Sequence, residues 1–94
     1  MSEPLLPRQL RAGQKHYVKG ITIEIMEVNE IKAYAGSSDR VTVYMVSYRL
    51  RDGDFISPVA HLFIPAVEDA RKYFLRVVDE YLRNREWIKQ MLRR

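Results

Sequence analysis

The sequence contains no cysteine, and its 94 residues include only four glycines, four prolines, two histidines and one tryptophan. Without cysteine, neither a disulfide nor a zinc site built from thiolates can form. A metal site built from histidine is not expected either, because only His16 and His61 offer imidazole nitrogens. We therefore expect no metal or other cofactor, and a small fold that depends on packing or on a partner chain.

Long apolar runs are also lacking. None approaches the roughly 20 residues that a membrane-spanning helix needs. The first eight residues have neither the positively charged start nor the long apolar centre of a secretory signal. We therefore expect a cytoplasmic protein, and the 47% content of hydrophobic residues predicts a folded domain.

Charged residues make up 30% of the chain, whereas there are only two asparagines and three glutamines, a composition typical of thermophiles. The net charge of +4 is unevenly distributed. Residues 1–19 carry four bases and one acid, residues 20–39 carry four acids and one base, and residues 66–94 carry eight bases and five acids. Such asymmetry favours either nucleic-acid binding or association between oppositely charged parts of two copies.

Three segments have the residue pattern of β-strands. Isoleucines at alternate positions from 21 to 25 predict a first strand that begins near Tyr17, and the alternation shifts at Met26, where we expect either a bulge or the end of the strand. After a turn at residues 36–39, β-branched and tyrosine residues predict a second strand over residues 40–51. Asp52-Gly53 predicts a hairpin turn, and Pro58 interrupts the third strand over residues 55–64 or confines it to an edge.

The remainder of the chain predicts one helix. No glycine or proline follows Pro65, so a helix of about 27 residues can form from Ala66 onwards, with apolar residues at heptad spacing from Val67 to Met91. The predicted fold class is α+β, a three-stranded antiparallel β-meander packed by one long C-terminal α-helix. Residues 1–16 are interpreted as an N-terminal arm, and residues 17–94 as a single domain.

Alternation divides the predicted sheet into two faces that are both apolar. The face expected to pack on the helix carries Ile21, Ile23, Ile25, Tyr44, Val46, Tyr48, Leu50, Leu62 and Ile64. The opposite face carries Val41, Val43, Met45, Val59 and Phe63. A solvated face should alternate to polar residues. Because one helix covers one face, either the N-terminal arm or a second copy should cover the other, and we favour the second copy.

These surfaces predict a non-enzymatic interaction or assembly module that forms a homo-oligomer and binds a protein partner. The predicted partner-binding residues are Val43, Met45 and Phe63 on the sheet, and Trp87, Ile88, Met91 and Leu92 at the helix end. No catalytic residue or small-molecule substrate is expected, because phosphate-loop, nucleophile and metal motifs are all lacking. Contact between the basic helix end and a membrane surface is the least favoured alternative.

The main alternative is binding of single-stranded DNA or RNA by basic and aromatic residues, namely Arg40, Arg49, Arg51, Tyr44 and Tyr48. The strand and helix order resembles the double-stranded-RNA-binding domain, except that acidic residues 68 and 69 occupy the helix start, where that family has lysines. The junction from Ile64 to Val78 is similar to that of a dimeric single-stranded-DNA-binding fold whose helix closes a curved sheet. One strand of that fold is not identified in this sequence.

In general character, the cysteine-free composition and the apolar stripe from Val67 to Met91 resemble the arcadins, accessory proteins of the archaeal actin-like cytoskeleton. This resemblance implies an archaeal, non-catalytic role in assembling or regulating filaments.

Overall fold

The computed structural model describes residues 3–36 and 39–92. In this part of the chain, a short 3-10 turn, Pro7–Gln9, precedes five β-strands and one α-helix. The strands are β1 (Lys15–Val18), β2 (Ile21–Ala35), β3 (Asp39–Asp52), β4 (Phe55–Ile56) and β5 (Ala60–Pro65), and the helix is α1 (Ala70–Leu92). All strand pairs are antiparallel, which confirms an α+β protein with an antiparallel sheet and a C-terminal helix.

The sheet has five strands, so the prediction of three was wrong, for two local reasons. Lys19 and Gly20 have φ angles of 51° and 81°, and this tight turn divides the first predicted strand into β1 and β2. Pro58 cannot donate a hydrogen bond, and it lies between β4 and β5 in the segment predicted as the third strand. Strands β4 and β5 both pair with β3 on the side opposite to β2.

Of the two alternatives at Met26, a bulge or a strand end, the structure has the bulge. The register between β2 and β3 shifts at Met26, between the pairs Ile25–Tyr48 and Glu27–Ser47. Before the bulge, the odd-numbered residues of β2 face the helix, and after it the even-numbered residues do so, because one extra residue reverses the alternation.

Strands β2 and β3 extend beyond their neighbours as a two-stranded ribbon. β1 pairs with β2 only as far as Glu24, and backbone hydrogen bonds from the segment before β1 continue this edge to Ile25. On the other side, the pairing of β5 with β3 reaches only Val43. The ribbon contributes to the elongated shape of the molecule, which measures 47 × 32 × 23 Å.

Helix α1 begins at Ala70, four residues later than predicted. The carboxylate of Asp69 caps this helix, because its Oδ1 accepts a hydrogen bond of 3.0 Å from the backbone N–H of Arg71. The Arg71 guanidinium, which hydrogen-bonds the same carboxylate, lowers the pKa of Asp69 to about 2. Val67, at 86% exposure, therefore lies in the preceding turn and not on the helix stripe. Residues 93 and 94, the predicted helix end, lie outside the described residues.

The core lies between α1 and one face of the sheet, here called the inner face. Its buried apolar residues are Leu10, Ile21, Ile23, Ile25, Val46, Leu50, Ile64, Ala70, Phe74, Val78 and Tyr81. Tyr48 and Leu62 pack against this cluster, as the sequence predicts. Tyr44 lies at its margin, and its hydroxyl donates a hydrogen bond of 2.9 Å to Glu30.

The N-terminal segment packs on the inner side of the sheet. Leu10 is buried in the core, and Leu5 packs against it. The backbone N–H of Leu5 donates to Asp69, and its carbonyl accepts from the N–H of Ala70. These contacts attach the segment to the start of α1, so it does not cover the opposite face of the sheet.

The central aromatic ring of the core provides a test of the packing. Phe74 is 1% exposed and lies 5.1 Å from the His16 ring, measured between ring centroids. We expect Phe74→Ala to lower the free energy of unfolding by about 3–5 kcal/mol, because it leaves a cavity. Urea denaturation measures this change. Leu75→Ala, at the exposed neighbouring position, is the control, and an equal loss there would contradict the assigned helix face.

Candidate interaction surfaces

The outer face of the sheet, opposite α1, carries an apolar row that no described helix or segment covers. Met45 lies between Asn29 and Phe63 in adjacent strands. Two residues earlier in β3, Val43 lies between Ile31 and Pro65 in the same adjacent strands. The outer apolar row consists of Ile31, Val41, Val43, Met45 and Phe63. Three of the predicted binding residues are therefore adjacent.

Exposure along β5 shows the difference between the two faces. Phe63 is 56% exposed, whereas the next residue, Ile64, is fully buried against the helix. Ile31 and Val41 are also exposed, while Val43 and Met45 are half-buried by their neighbours in the sheet. Exposed apolar side chains that adjoin one another, and are not scattered singly, are typical of an interaction surface.

A charged cluster lies further along the outer face, beyond Ser47 and His61. Glu24 is only 9% exposed, because two arginine side chains lie beside its carboxylate. Arg49 Nε donates a hydrogen bond of 2.5 Å to Glu24 Oε1, and Arg51 Nε lies 2.8 Å from Oε2. The hydrogen bond from Arg49, followed by that from Arg51, lowers the pKa of Glu24. The cluster therefore carries one net positive charge, less than its two arginines suggest.

At the far end of the molecule, Asp52 holds the last turns of α1 against the β3–β4 turn. Its Oδ2 accepts a hydrogen bond of 2.7 Å from the Tyr81 hydroxyl and lies 3.3 Å from Lys89 Nζ. The Tyr81 hydrogen bond is the main cause that lowers the pKa of Asp52, while burial and this carboxylate raise the pKa of Tyr81. The helix end is thus fixed in cis by ionic and polar contacts.

An apolar groove of about 490 Å³ runs beside this helix end. Pro58 and Val59 form its sheet side, and Trp87 and Ile88 form part of its helix side. Trp87 is 63% exposed, and Met91 and Leu92 are exposed as well, whereas Ile88 packs against the core. Val59 belongs to this groove and not to the outer face, where the sequence placed it. The two predicted binding regions therefore lie on opposite sides of the sheet.

The residues proposed for nucleic-acid binding are not brought together. Arg49 and Arg51 lie on the outer face with Glu24, whereas Tyr44 and Tyr48 belong to the inner face. Arg40 lies on the ribbon, with its guanidinium 5.9 Å from the centre of the Tyr34 ring.

Sequence reasoning missed Ile31 and Glu24. The shift of alternation at Met26 was a sufficient signal for Ile31, because it moves the odd-numbered residues onto the outer face. Nothing in the sequence indicated Glu24, because its two partners come from β3, about 25 residues away along the chain.

Searches against protein-family models, curated proteins and solved structures return no match for this chain. Among the described residues, no helix is both long and apolar enough to cross a membrane. Residues 3–36 and 39–92 also bring together no group of three metal-binding side chains.

The lowered pKa of Glu24 predicts a pH-dependent stability. The stabilisation from ionised Glu24 is complete above its ordinary pKa of 4.5 and is lost as the pH falls through the lowered folded-state value. We expect Glu24→Gln to lower the urea midpoint at neutral pH, and the difference from the wild type to shrink below about pH 4. Glu86→Gln, at an exposed helix position, should show no such trend. A difference that is independent of pH would contradict the ion-pair assignment.

Proposed function

We propose that this protein is a non-enzymatic assembly module that self-associates through the outer face of its sheet and offers the groove beside Trp87 to a protein partner. The outer apolar row carries the proposal. Val43 and Met45 lie at its centre, Phe63 extends from it, and no described part of the chain covers them. A second copy has the same apolar row, so two such faces can exclude water from each other.

The charged residues near this face support a protein partner over a phosphate backbone. Arg49 and Arg51 are both engaged by Glu24, and nucleic-acid phosphates would have to compete with that carboxylate. The exposed Phe63 ring is available for stacking, but the tyrosines chosen from the sequence lie on the other side of the sheet. Single-stranded DNA or RNA binding therefore stays the second candidate.

Three carboxylates with lowered pKa values make contacts within the fold, as we expect of a non-enzymatic module. Glu24 joins strands β2 and β3 through its arginine partners, and Asp52 joins the β3–β4 turn to α1 through Tyr81. Asp69 caps the helix. Each carboxylate is engaged in contacts that stabilise the fold.

The resemblance to the arcadins gives this module a context. Under that resemblance, the assembly is an accessory part of an actin-like filament system in the cytoplasm of an archaeon. Self-association through one face and partner binding in a groove on the other side would allow one copy to join two components at once.

Two single substitutions test the assigned faces. We expect Phe63→Ser to form a smaller species than the wild type, with the dissociation constant raised roughly tenfold or more, because a central apolar contact is lost. Trp87→Ser is the matched control, since this exposed ring lies on the other side of the sheet. Light scattering over a concentration series measures both masses. A wild-type mass retained by Phe63→Ser but lost in Trp87→Ser would assign self-association to the helix end.

A titration with fluorescent single-stranded DNA and RNA tests the second candidate. On our proposal, the wild type shows no binding that collapses between about 50 and 200 mM salt. Nucleic-acid binding predicts the opposite, with loss of affinity in an Arg49→Ala/Arg51→Ala variant and a gain in Glu24→Gln, which releases both arginines. Tight, salt-sensitive binding with that pattern would replace the assembly function by the second candidate.

A further inference from the structure

The free edge of β2 is long. From residue 26 to residue 35, no described strand or segment pairs with it on the side away from β3. Open edges of this length usually carry proline or several charges, which prevent pairing with another chain. This stretch has no proline or glycine, and its charged residues are Glu27, Glu30 and Lys32, so the positions of these charges decide whether another chain can pair with it. Its last part, residues 32–35, belongs to a ribbon of only two strands, an arrangement that is marginally stable in water by itself.

The backbone groups that face this edge follow from the observed hydrogen bonds. The carbonyls of Thr42 and Leu50 accept hydrogen bonds from Ala66 and Ser57, on the side of β3 away from β2. The backbone N–H and C=O groups of alternate residues of β3, including Val43 and Met45, therefore point towards β2. The partners of these residues are odd-numbered residues of β2, so the backbone groups of the even-numbered residues of β2 point towards the free edge. These edge-facing residues are Val28, Glu30, Lys32 and Tyr34.

These four residues are self-complementary. If two copies pair antiparallel about Ile31, each Glu30 lies opposite Lys32 of the other copy, and each Val28 lies opposite Tyr34. Every such pair joins two edge-facing residues, as a regular ladder requires. The register also contains two ion pairs and two contacts between β-branched and aromatic side chains, which are favourable across strands.

Neighbouring registers lack this match. Pairing about residue 30 or residue 32 places two like charges opposite each other, which is destabilising. Pairing about residue 29 or residue 33 leaves Glu30 without an opposite charge. A shift by one residue would pair an edge-facing residue with one whose backbone groups are already bonded to β3.

We propose that two copies of this chain join edge to edge through β2, antiparallel, with Ile31 on the two-fold axis. The two five-stranded sheets then form one continuous sheet, and the ribbons lie at its centre. This inference rests on the proposed function in one respect only, namely that the chain self-associates. It adds a second interface and the register of that interface.

Edge pairing also extends the outer face. A two-fold axis perpendicular to the sheet keeps both helices on one side and both outer apolar rows on the other. The two copies of Ile31 become neighbours at the joint, so the two rows merge into one. A joined pair therefore offers about twice the apolar surface for contact with another pair.

Cysteine substitution tests the register directly, because the natural chain has no cysteine. Opposite residues in a non-hydrogen-bonded antiparallel pair have Cα atoms about 4.5 Å apart, within the range of a disulfide. We expect Ile31→Cys to form a covalent dimer with oxidised glutathione. Ala33→Cys is the matched control, because its two copies would lie roughly 13 Å apart in this register. Equal cross-linking at both positions, or none at position 31, would overturn the inference.

Charge reversal gives an independent test. Lys32→Glu places a second carboxylate opposite Glu30 in both pairs, and we expect it to weaken dimerisation roughly tenfold or more. The double variant Glu30→Lys/Lys32→Glu restores opposite charges and should recover the dimer. Lys32 is exposed, so Lys32→Glu should leave the fold intact. The double variant also loses the hydrogen bond from Tyr44 to Glu30, so circular dichroism must show that it is folded. A Lys32→Glu dimer as tight as the wild type, or a double variant no tighter than Lys32→Glu, would refute the edge pairing.

The Phe63→Ser background separates this inference from the proposed function. If both hold, Phe63→Ser is a dimer, and the addition of Lys32→Glu converts it to a monomer. A monomeric Phe63→Ser protein would refute the edge interface, and the proposal that the outer face self-associates would still hold. A wild type that is monomeric at every concentration would refute both.

Discussion

A helix can cover only one face of a sheet, and the other features of this molecule follow from that limit. Phe74 and Val78 fill the inner face and bury Ile21, Ile23 and Ile25 of β2. The N-terminal segment, attached through Leu5 to the helix cap, adds to the same side. No described element remains for the outer face, so its apolar residues are exposed. In a chain this short, burial of apolar surface is the main stabilising term, and under the proposed function a second copy supplies the missing layer.

Ion pairs stabilise the parts of the molecule that lie outside the apolar core. Glu24 joins β2 to β3 through Arg49, on the outer face. Asp52 joins the β3–β4 turn to the helix end through Tyr81 and Lys89. In both places the carboxylate is largely buried and has cationic partners, so removal of the acid would leave positive charges uncompensated. These contacts fix the shape of both candidate surfaces.

Much of the fold follows from local patterns, and the errors have local causes. Alternation predicted the inner face and the shift at Met26, because burial of one side of a strand is visible in the sequence. The turn at Lys19-Gly20 was missed, because a lysine with positive φ is rare and gives no warning. The late helix start was missed, because Asp69 is recognised as the helix cap only once the turn between Pro65 and Ala70 is known. Long-range contacts, such as those of Glu24, cannot be read from spacing.

The bulge at Met26 determines which properties each surface of the ribbon has. If Met26 took a regular place in the ladder, with no bulge, every later residue of β2 would turn to the other face. Ile31 would then turn towards the inner side, and Glu30 and Lys32 would move into the exposed row beside Val43. The loss of the bulge would thus exchange a hydrophobic stripe for a hydrated, charged one, with no change in composition. Under the proposed function, this one irregularity of the backbone separates a self-associating chain from a solitary one.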